Sequence, residues 1–339
     1  MFREVQDFVL NFSSILWEAM PFIVLGALVA GILEELLPQQ LIARIMPKHP
    51  LPAVMIGGAL GLIFPMCECG IVVVMRRLLR KGLPLSCCIA YMLAGPIVNV
   101  VVLLSTLVAF GPHGIGVQMV LLRAGLGFVI ACITGLVVHI QYKKYGNSLL
   151  TAVAAPPKAK GLELVDDDDM PAAKKTIFKR LSNISETSLH DFMDISVFLI
   201  LGAVLAAFAK LFINPDDIQR LSSEMPYLAI PAMMFLAVLL CLCSEADAFV
   251  AASFTEMSVS SKLAFLVLGP MLDLKLLMMY TRVFRLRLIL TLATCTVIQT
   301  LVFTIIVHQF YDPAPGAGGG GTTISAVPTA SPSPADPKP

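Results

Sequence analysis

Long apolar runs decide what this chain can fold into. They lie near 8–33, 52–75, 83–110, 115–140, 189–213, 226–251, 259–280 and 287–310. A helix needs about 20 mostly apolar residues to cross a bilayer. In hydrocarbon a segment must satisfy its own backbone hydrogen bonds, so helices are the expected form. The runs predict an all-α polytopic membrane protein with about eight transmembrane helices. Composition agrees. Hydrophobic types make up 57% of the residues and charged types 14%, against roughly a quarter charged in soluble domains. A net charge of +1 speaks against a nucleic-acid partner. The lipid bilayer is the expected surrounding. The start, MFREVQDFVL, carries acids and leads into a run too long for a signal h-region, so no cleaved signal peptide is expected.

Four units follow along the chain: 1–145, a polar linker over 146–188, 189–310, and a tail over 311–339. The linker holds an acid run from Asp166 to Asp169, read as a solvated loop. The tail, rich in Pro, Gly and Ser, has nothing to bury and is expected to be disordered. If eight spans alternate, Arg76, Arg77, Arg80 and Lys81 share a side with Lys143, Lys144, Lys174, Lys175, Lys179 and Arg180. The positive-inside rule then places both termini and the linker in the cytoplasm, with RRLLRKG as a topology signal. Arg44, Lys48, Arg282, Arg285 and Arg287 fall on the opposite side, which points to one or two re-entrant segments.

The chain repeats itself. A shift of 174 residues lays Cys67 and Cys69 on Cys241 and Cys243, Gly95-Pro96 on Gly269-Pro270, and Asn99 on Asp273. A shift of 176 lays LGALVA at 25–30 on LGAVLA at 201–206, and Glu18 on Asp194. Two homologous halves are expected, either parallel or inverted. Transporters of this build place their sites at the repeat interface, near the midplane, on broken helices. The expected breaks are Pro65, Pro96 and Pro270, since proline removes a backbone donor and frees a carbonyl.

Polar residues gather at those breaks: Glu68, Asn99, Glu245, Asp247, Asp273 and Lys275. Ionisable residues inside spans are expensive and mark function by default. Residues two apart on a regular helix point about 200° apart, so Cys67 and Cys69 can share a ligand only from unwound chain. Two such stretches meeting would offer up to four thiols, Cys67, Cys69, Cys241 and Cys243, as metal ligands. Thiolates suit zinc, copper(I) and trivalent arsenic. Cys87, Cys88, Cys132 and Cys295 read as packing residues. The eight cysteines lie almost wholly in apolar segments, which does not suit a secreted disulfide framework. Glu18 and Asp194 are candidate proton carriers. No resident cofactor is expected.

With these motifs the chain resembles the YraQ/YcgR-type predicted permeases, whose best-studied branch is the ArsP organoarsenical efflux permeases. PMCECGIVVVMRRLLRKGLPLS, AGPIVNVVVL, CSEADAFVAASF, LGPMLDLK and EAMPFIVLGALVAGILEELLP carry the resemblance, which covers most of residues 10–310. It implies a permease of the bacterial cytoplasmic membrane and marks Cys67, Cys69, Gly70, Asn99, Cys243, Ser244, Asp247 and Asp273. It also implies, for some members, a second membrane subunit. Glu68 and Glu245 make this site acidic, which favours a cation over a neutral arsenical.

The expected substrate site comprises Cys67, Glu68, Cys69, Gly95, Pro96, Asn99, Cys241, Cys243, Ser244, Glu245, Asp247, Gly269, Pro270 and Asp273. The expected activity is gradient-driven efflux of a soft metal ion or metalloid, since no phosphate-binding GxxxxGK[ST] motif is present. The rival is a partner-dependent or non-transporting subunit with a structural or sensing site. An intramembrane enzyme is the third reading, without a HExxH pair or Ser-His arrangement to carry it. A homo-oligomer is compatible with all three.

Overall fold

A computed structural model describes residues 2–36, 47, 49–64, 66–151, 154, 177–210, 226–254 and 257–311. Pro65, the acid run of the linker, and the tail beyond Tyr311 lie outside the described residues. The helices are α1 (Phe2–Leu36), α2 (Pro50–Ile63), α3 (Glu68–Arg80), α4 (Leu85–Val98), α5 (Val100–Phe110) and α6 (Gly116–Tyr145). The order then recurs in α7 (Ile177–Lys210), α8 (Pro226–Leu240), α9 (Asp247–Ser253), α10 (Val259–Leu268), α11 (Leu274–Val283) and α12 (Leu286–Tyr311). Leu150 and Phe284 form an isolated antiparallel bridge.

Among the described residues, five segments are long and apolar enough to cross a membrane: Val5–Leu33, Leu85–Phe110, Gly116–Leu149, Ser182–Phe208 and Leu286–Phe310. Trp17, Val197, Leu201 and Ile298 project outward from these segments. Such exposure is costly in water and neutral in lipid. The chain is an all-α polytopic membrane protein.

Two of the eight apolar runs are split into short helices that fold back on themselves. Over 52–75, α2 ends at Ile63 and α3 begins at Glu68. Gly57 and Gly61 of α2 lie against Cys87 and Gly95 of α4, so α2 runs alongside α4. The chain then reverses, and α3 returns to the loop that opens α4. Over 226–251, α8 and α9 make the corresponding hairpin. Ile230 and Met234 of α8 pack with Ala264 and Leu268 of α10. Both Cys-x-Cys motifs, where broken or re-entrant helices were expected as at the Gly-Pro motifs, lie where these hairpins break. Small residues allow the close approaches: a Cβ on Gly26 of α1 would stand 2.7 Å from Gly70 Cα of α3.

Corresponding helices cross antiparallel. Ser188 of α7 donates to Ala27 O of α1 at 3.0 Å, while Phe12 and Ile15 share an apolar cluster with Ala203 and Ala206. Gln299 of α12 donates to Thr134 of α6 at 3.1 Å, and Gln141 of α6 donates to Thr291 of α12 at 2.9 Å. Among the described residues, the chain runs the length of the bundle three times on each side of the linker: in the long apolar segments α1, α4–α5 and α6, then in α7, the shorter pair α10–α11, and α12. Three is odd, so Phe2 and Tyr311 end on the face opposite Tyr145 and Ile177. The sequence expectation had the termini and the linker on one side of the membrane. The odd count also brings Arg282, Arg285 and Arg287 to the face that holds Arg80, Lys81, Lys143 and Lys144. Arg287 stacks on Tyr145 at 4.6 Å.

Candidate functional site

The two Cys-x-Cys segments fold differently. Cys67 precedes α3 in extended conformation (φ −71°, ψ 169°), with Glu68 and Cys69 in the first turn. From Cys241 to Ala246 the chain is not helical. Cys241 adopts φ 49°, a left-handed conformation that non-glycine residues keep only where their surroundings enforce it. Unwinding frees carbonyls, and buried carbonyls need donors. Two buried cations supply them: Lys275 Nζ donates to Cys241 O at 3.3 Å, and Arg123 Nη2 to Ser244 O at 3.2 Å.

Each cation also neutralises acids. Lys275 Nζ lies 2.8 Å from Glu68 Oε1 and 3.6 Å from Asp273 Oδ2. Arg123 donates to Asp247 Oδ2 at 2.7 Å and to Thr106 Oγ1 at 2.8 Å. Ser244 Oγ joins the two systems, donating to Glu68 Oε2 at 3.1 Å and lying 3.4 Å from Glu245 Oε2. Glu68, Arg123, Ser244, Asp247, Asp273 and Lys275 are all buried, and Glu245 is half-buried. Four carboxylates thus face two fixed cations. The cluster has more acid than base, and its donors come from both sides of the linker.

The sulfurs do not form one shell. Cys67, Cys69 and Cys243 lie near one another. The Cys241 thiol instead donates to Val238 O at 3.4 Å and packs beside Phe12 and Ala203. Its left-handed backbone turns the carbonyl toward Lys275 and leaves the sulfur in an apolar cluster. Among the described residues, no group of three or more His, Cys, Asp or Glu is arranged to hold a metal ion. Of the four thiols expected as ligands, Cys67, Cys69, Cys241 and Cys243, the structure turns Cys241 away from the other three.

The breaks after the Gly-Pro pairs are capped by their polar residues. Pro96 sits inside α4, which continues to Val98, and the break falls at Asn99. A proline lacks only its own N–H, so the helix runs on until Asn99 caps α5. In the second half α10 ends at Leu268, with Gly269 as its C-cap and Pro270 buried in the break. Asp273 caps α11. Gly95 lies against Ile71 of α3 and Gly61 of α2, so its place is in packing rather than among the polar groups.

The proton candidates lie outside this cluster. Asp194 Oδ1 accepts from Arg282 at 2.6 Å and Oδ2 from Arg76 at 2.5 Å. Asp191 accepts from Arg76 and, at 2.6 and 2.7 Å, from Arg77. Arg76, Arg77 and Asp191 are buried, so RRLLRKG does more than mark topology: its first two arginines tie α3 to α7. Glu18 is half-buried, has no hydrogen bond or ion pair among the described residues, and lies within electrostatic reach of Cys243 and Glu245. Arg123 and Asp191 were not anticipated, and Lys275 was not assigned to the site. An ionisable residue inside an apolar run was the signal for all three.

Comparison with known proteins agrees with this architecture. A family model described as a predicted permease, ArsP_1, matches residues 4–309. The UPF0718 protein YcgR of Bacillus subtilis is 36% identical over 297 residues, 87% of this chain and 95% of that protein. A Streptococcus mutans protein named "Putative two-component membrane permease complex subunit" is 32% identical over 297 residues, 87% of this chain and 93% of that protein. No solved structure matches the chain.

Proposed function

The chain belongs to the ArsP_1 family of predicted permeases, and on that footing we propose that it carries a soft metal ion or metalloid across the bacterial cytoplasmic membrane. The cargo is a trivalent organoarsenical or a zinc-like cation, and the direction is efflux driven by an ion gradient. The reading rests on one observation above others. Glu68, from the first half, is held by Lys275 and Ser244, from the second. A site shared between two halves changes when the halves move.

The two halves are inverted repeats, consistent with the antiparallel crossings of α1 with α7 and of α6 with α12. The face with the basic helix ends is cytoplasmic. The twin packings are unequal: α1 rests on α3, while α7 rests on α11 rather than α9. A Cβ on Gly202 of α7 would meet Lys275 Cα at 2.8 Å. Exchange of these packings between halves is the rocking step of alternating access. The network of Arg76, Arg77, Arg282, Asp191 and Asp194 shuts the cytoplasmic side, and Glu18, the twin of Asp194, carries the coupling proton.

A second reading has its own support. A relative is named as a subunit of a two-component permease complex, so this chain transports only with a second membrane subunit. In neither reading is it an enzyme.

Flux into everted membrane vesicles, with and without a proton gradient, tests the proposal. The panel is Zn²⁺, Cd²⁺, Cu⁺, arsenite and methylarsenite. Gradient-dependent uptake of one member, lost in Cys67→Ser/Cys243→Ser, is the expected result. Uptake unchanged in that variant removes the thiols from the mechanism. No uptake from well-folded protein favours the partner-dependent subunit.

A further inference from the structure

The Lys275 ammonium is surrounded by groups of the kinds that ligate cations, although with Lys275 in place no three acidic or sulfur side chains among the described residues are arranged to share a metal ion. Glu68 Oε1 is 2.8 Å away and Asp273 Oδ2 is 3.6 Å away. Cys241 O lies at 3.3 Å and Cys243 Sγ at 3.9 Å. Two carboxylates, a main-chain carbonyl and a thiol converge from α3, from the unwound stretch and from the cap of α11. Oxygen and sulfur donors of these types hold metal ions. Asp273 Oδ2 is buried and has no hydrogen bond of its own, and the ammonium stands beyond ordinary hydrogen-bond length from it. That oxygen is a spare acceptor beside the ammonium, placed to take it when it leaves Glu68.

We propose that this is a cation site with Lys275 as its tethered resting occupant, and that a soft divalent cation binds by displacing Lys275 from Glu68. The cargo's class, though not the site, rests on the permease reading above. On displacement the ammonium shifts toward Asp273, which keeps it paired. The cation takes the Glu68 carboxylate, the Cys241 carbonyl and Cys243 as thiolate, and the thiol proton leaves as the cation arrives. Uncompensated carboxylates in a dry interior are costly. Lys275 removes that cost in the unloaded protein, so the permease can reorient without cargo. The same residue sets a threshold on affinity, because every cation must compete with a covalently attached one.

Cd²⁺ alone is the probe. Purified full-length Lys275→Met is expected to bind Cd²⁺ about tenfold or more tightly than wild type, and Lys275→Met/Glu68→Gln to lose that gain. Lys275→Arg, which retains the charge, should match or fall below wild type. A folded Lys275→Met that binds no more tightly overturns the proposal. A second measurement does not use Lys275→Met: a cadmium–thiolate charge-transfer band should appear in the ultraviolet when Cd²⁺ is added to wild type, and not in Cys243→Ser, with release of about one proton per ion bound. No such band at saturating Cd²⁺ overturns the proposal even if Lys275→Met does not fold. Cd²⁺ flux by wild type separates the two readings. Flux without either change leaves a permease and removes the cation site. The binding gain without flux leaves the site and removes the permease.

Discussion

Asn99 and Asp273 hold matching positions at the two chain breaks. Asn99 Oδ1 accepts from Val101 N at 2.9 Å and opens α5; Asp273 Oδ1 accepts from Leu276 N at 2.6 Å and opens α11. A side-chain oxygen before a helix satisfies one of its free N–H groups. In a membrane interior no water replaces it. Asn99→Ala is therefore expected to destabilise the protein by about 0.5–2 kcal/mol, with Asn99→Asp close to wild type. Asp273→Asn should keep the cap and weaken the tie to Lys275. Thermal unfolding in detergent separates the two losses.

Arg123 is buried and bonds Asp247, Thr106 and the Ser244 carbonyl. Removing one partner of a buried pair strands the other charge. Arg123→Met should cost about 3–5 kcal/mol, and pairing it with Asp247→Asn should recover much of that loss. A double-mutant cycle on unfolding in detergent checks it. Equal, additive losses would mean that the two residues do not act together.

The ion pairs of Asp191 and Asp194 tie α7 to α3, and Asp194 also ties it to α11. The position that a shift of 176 aligns with Asp194 is Glu18, which has no such partners among the described residues. Asp191→Asn/Asp194→Asn should favour opening on the basic face, by about tenfold in population for each 1.4 kcal/mol the network contributes. Labelling of Cys243 by a membrane-impermeant thiol reagent in everted vesicles reports it. Labelling no faster than in wild type would deny the network a gating role.

The proposed orientation, with the basic face in the cytoplasm, gives a labelling pattern. Ser148 is exposed beside Tyr145, and His113 is exposed at the turn between α5 and α6 on the opposite face. Ser148→Cys should label in everted vesicles only, and His113→Cys in intact cells only. The reverse pattern would invert the orientation; labelling of both from one side would overturn the crossings themselves.

Much of this was legible in the sequence because hydrocarbon is a strict solvent. The runs, the paired Cys-x-Cys motifs and the Gly-Pro breaks announce helices, duplication and interruptions. Direction was not legible. A run such as 52–75 reads as one span whether it crosses or reverses at Phe64, since hydropathy has no sign for a turn. The Cys-x-Cys pairs drew attention to sulfur, yet the unwinding at Cys241 presents a carbonyl and hides the thiol. Arg123 and Asp191 are single charges within apolar helices, without a motif. Their partners lie far away in sequence, and only the fold pairs them.

The hairpin that carries Glu68 also sets an order of events. Lys275 and Ser244 leave the ribosome long after α3 has been made. Until then Glu68 has no partner from the second half, and a hairpin entering from one face cannot be threaded through a translocon as a simple span. The apolar helices of the first half can insert early, but α2–α3 can settle only loosely, on the side of the basic face, until α11 arrives. A fragment ending at the linker would hold its crossings and lack a finished hairpin. Supplying residues 177–311 as a separate chain should let that hairpin seat.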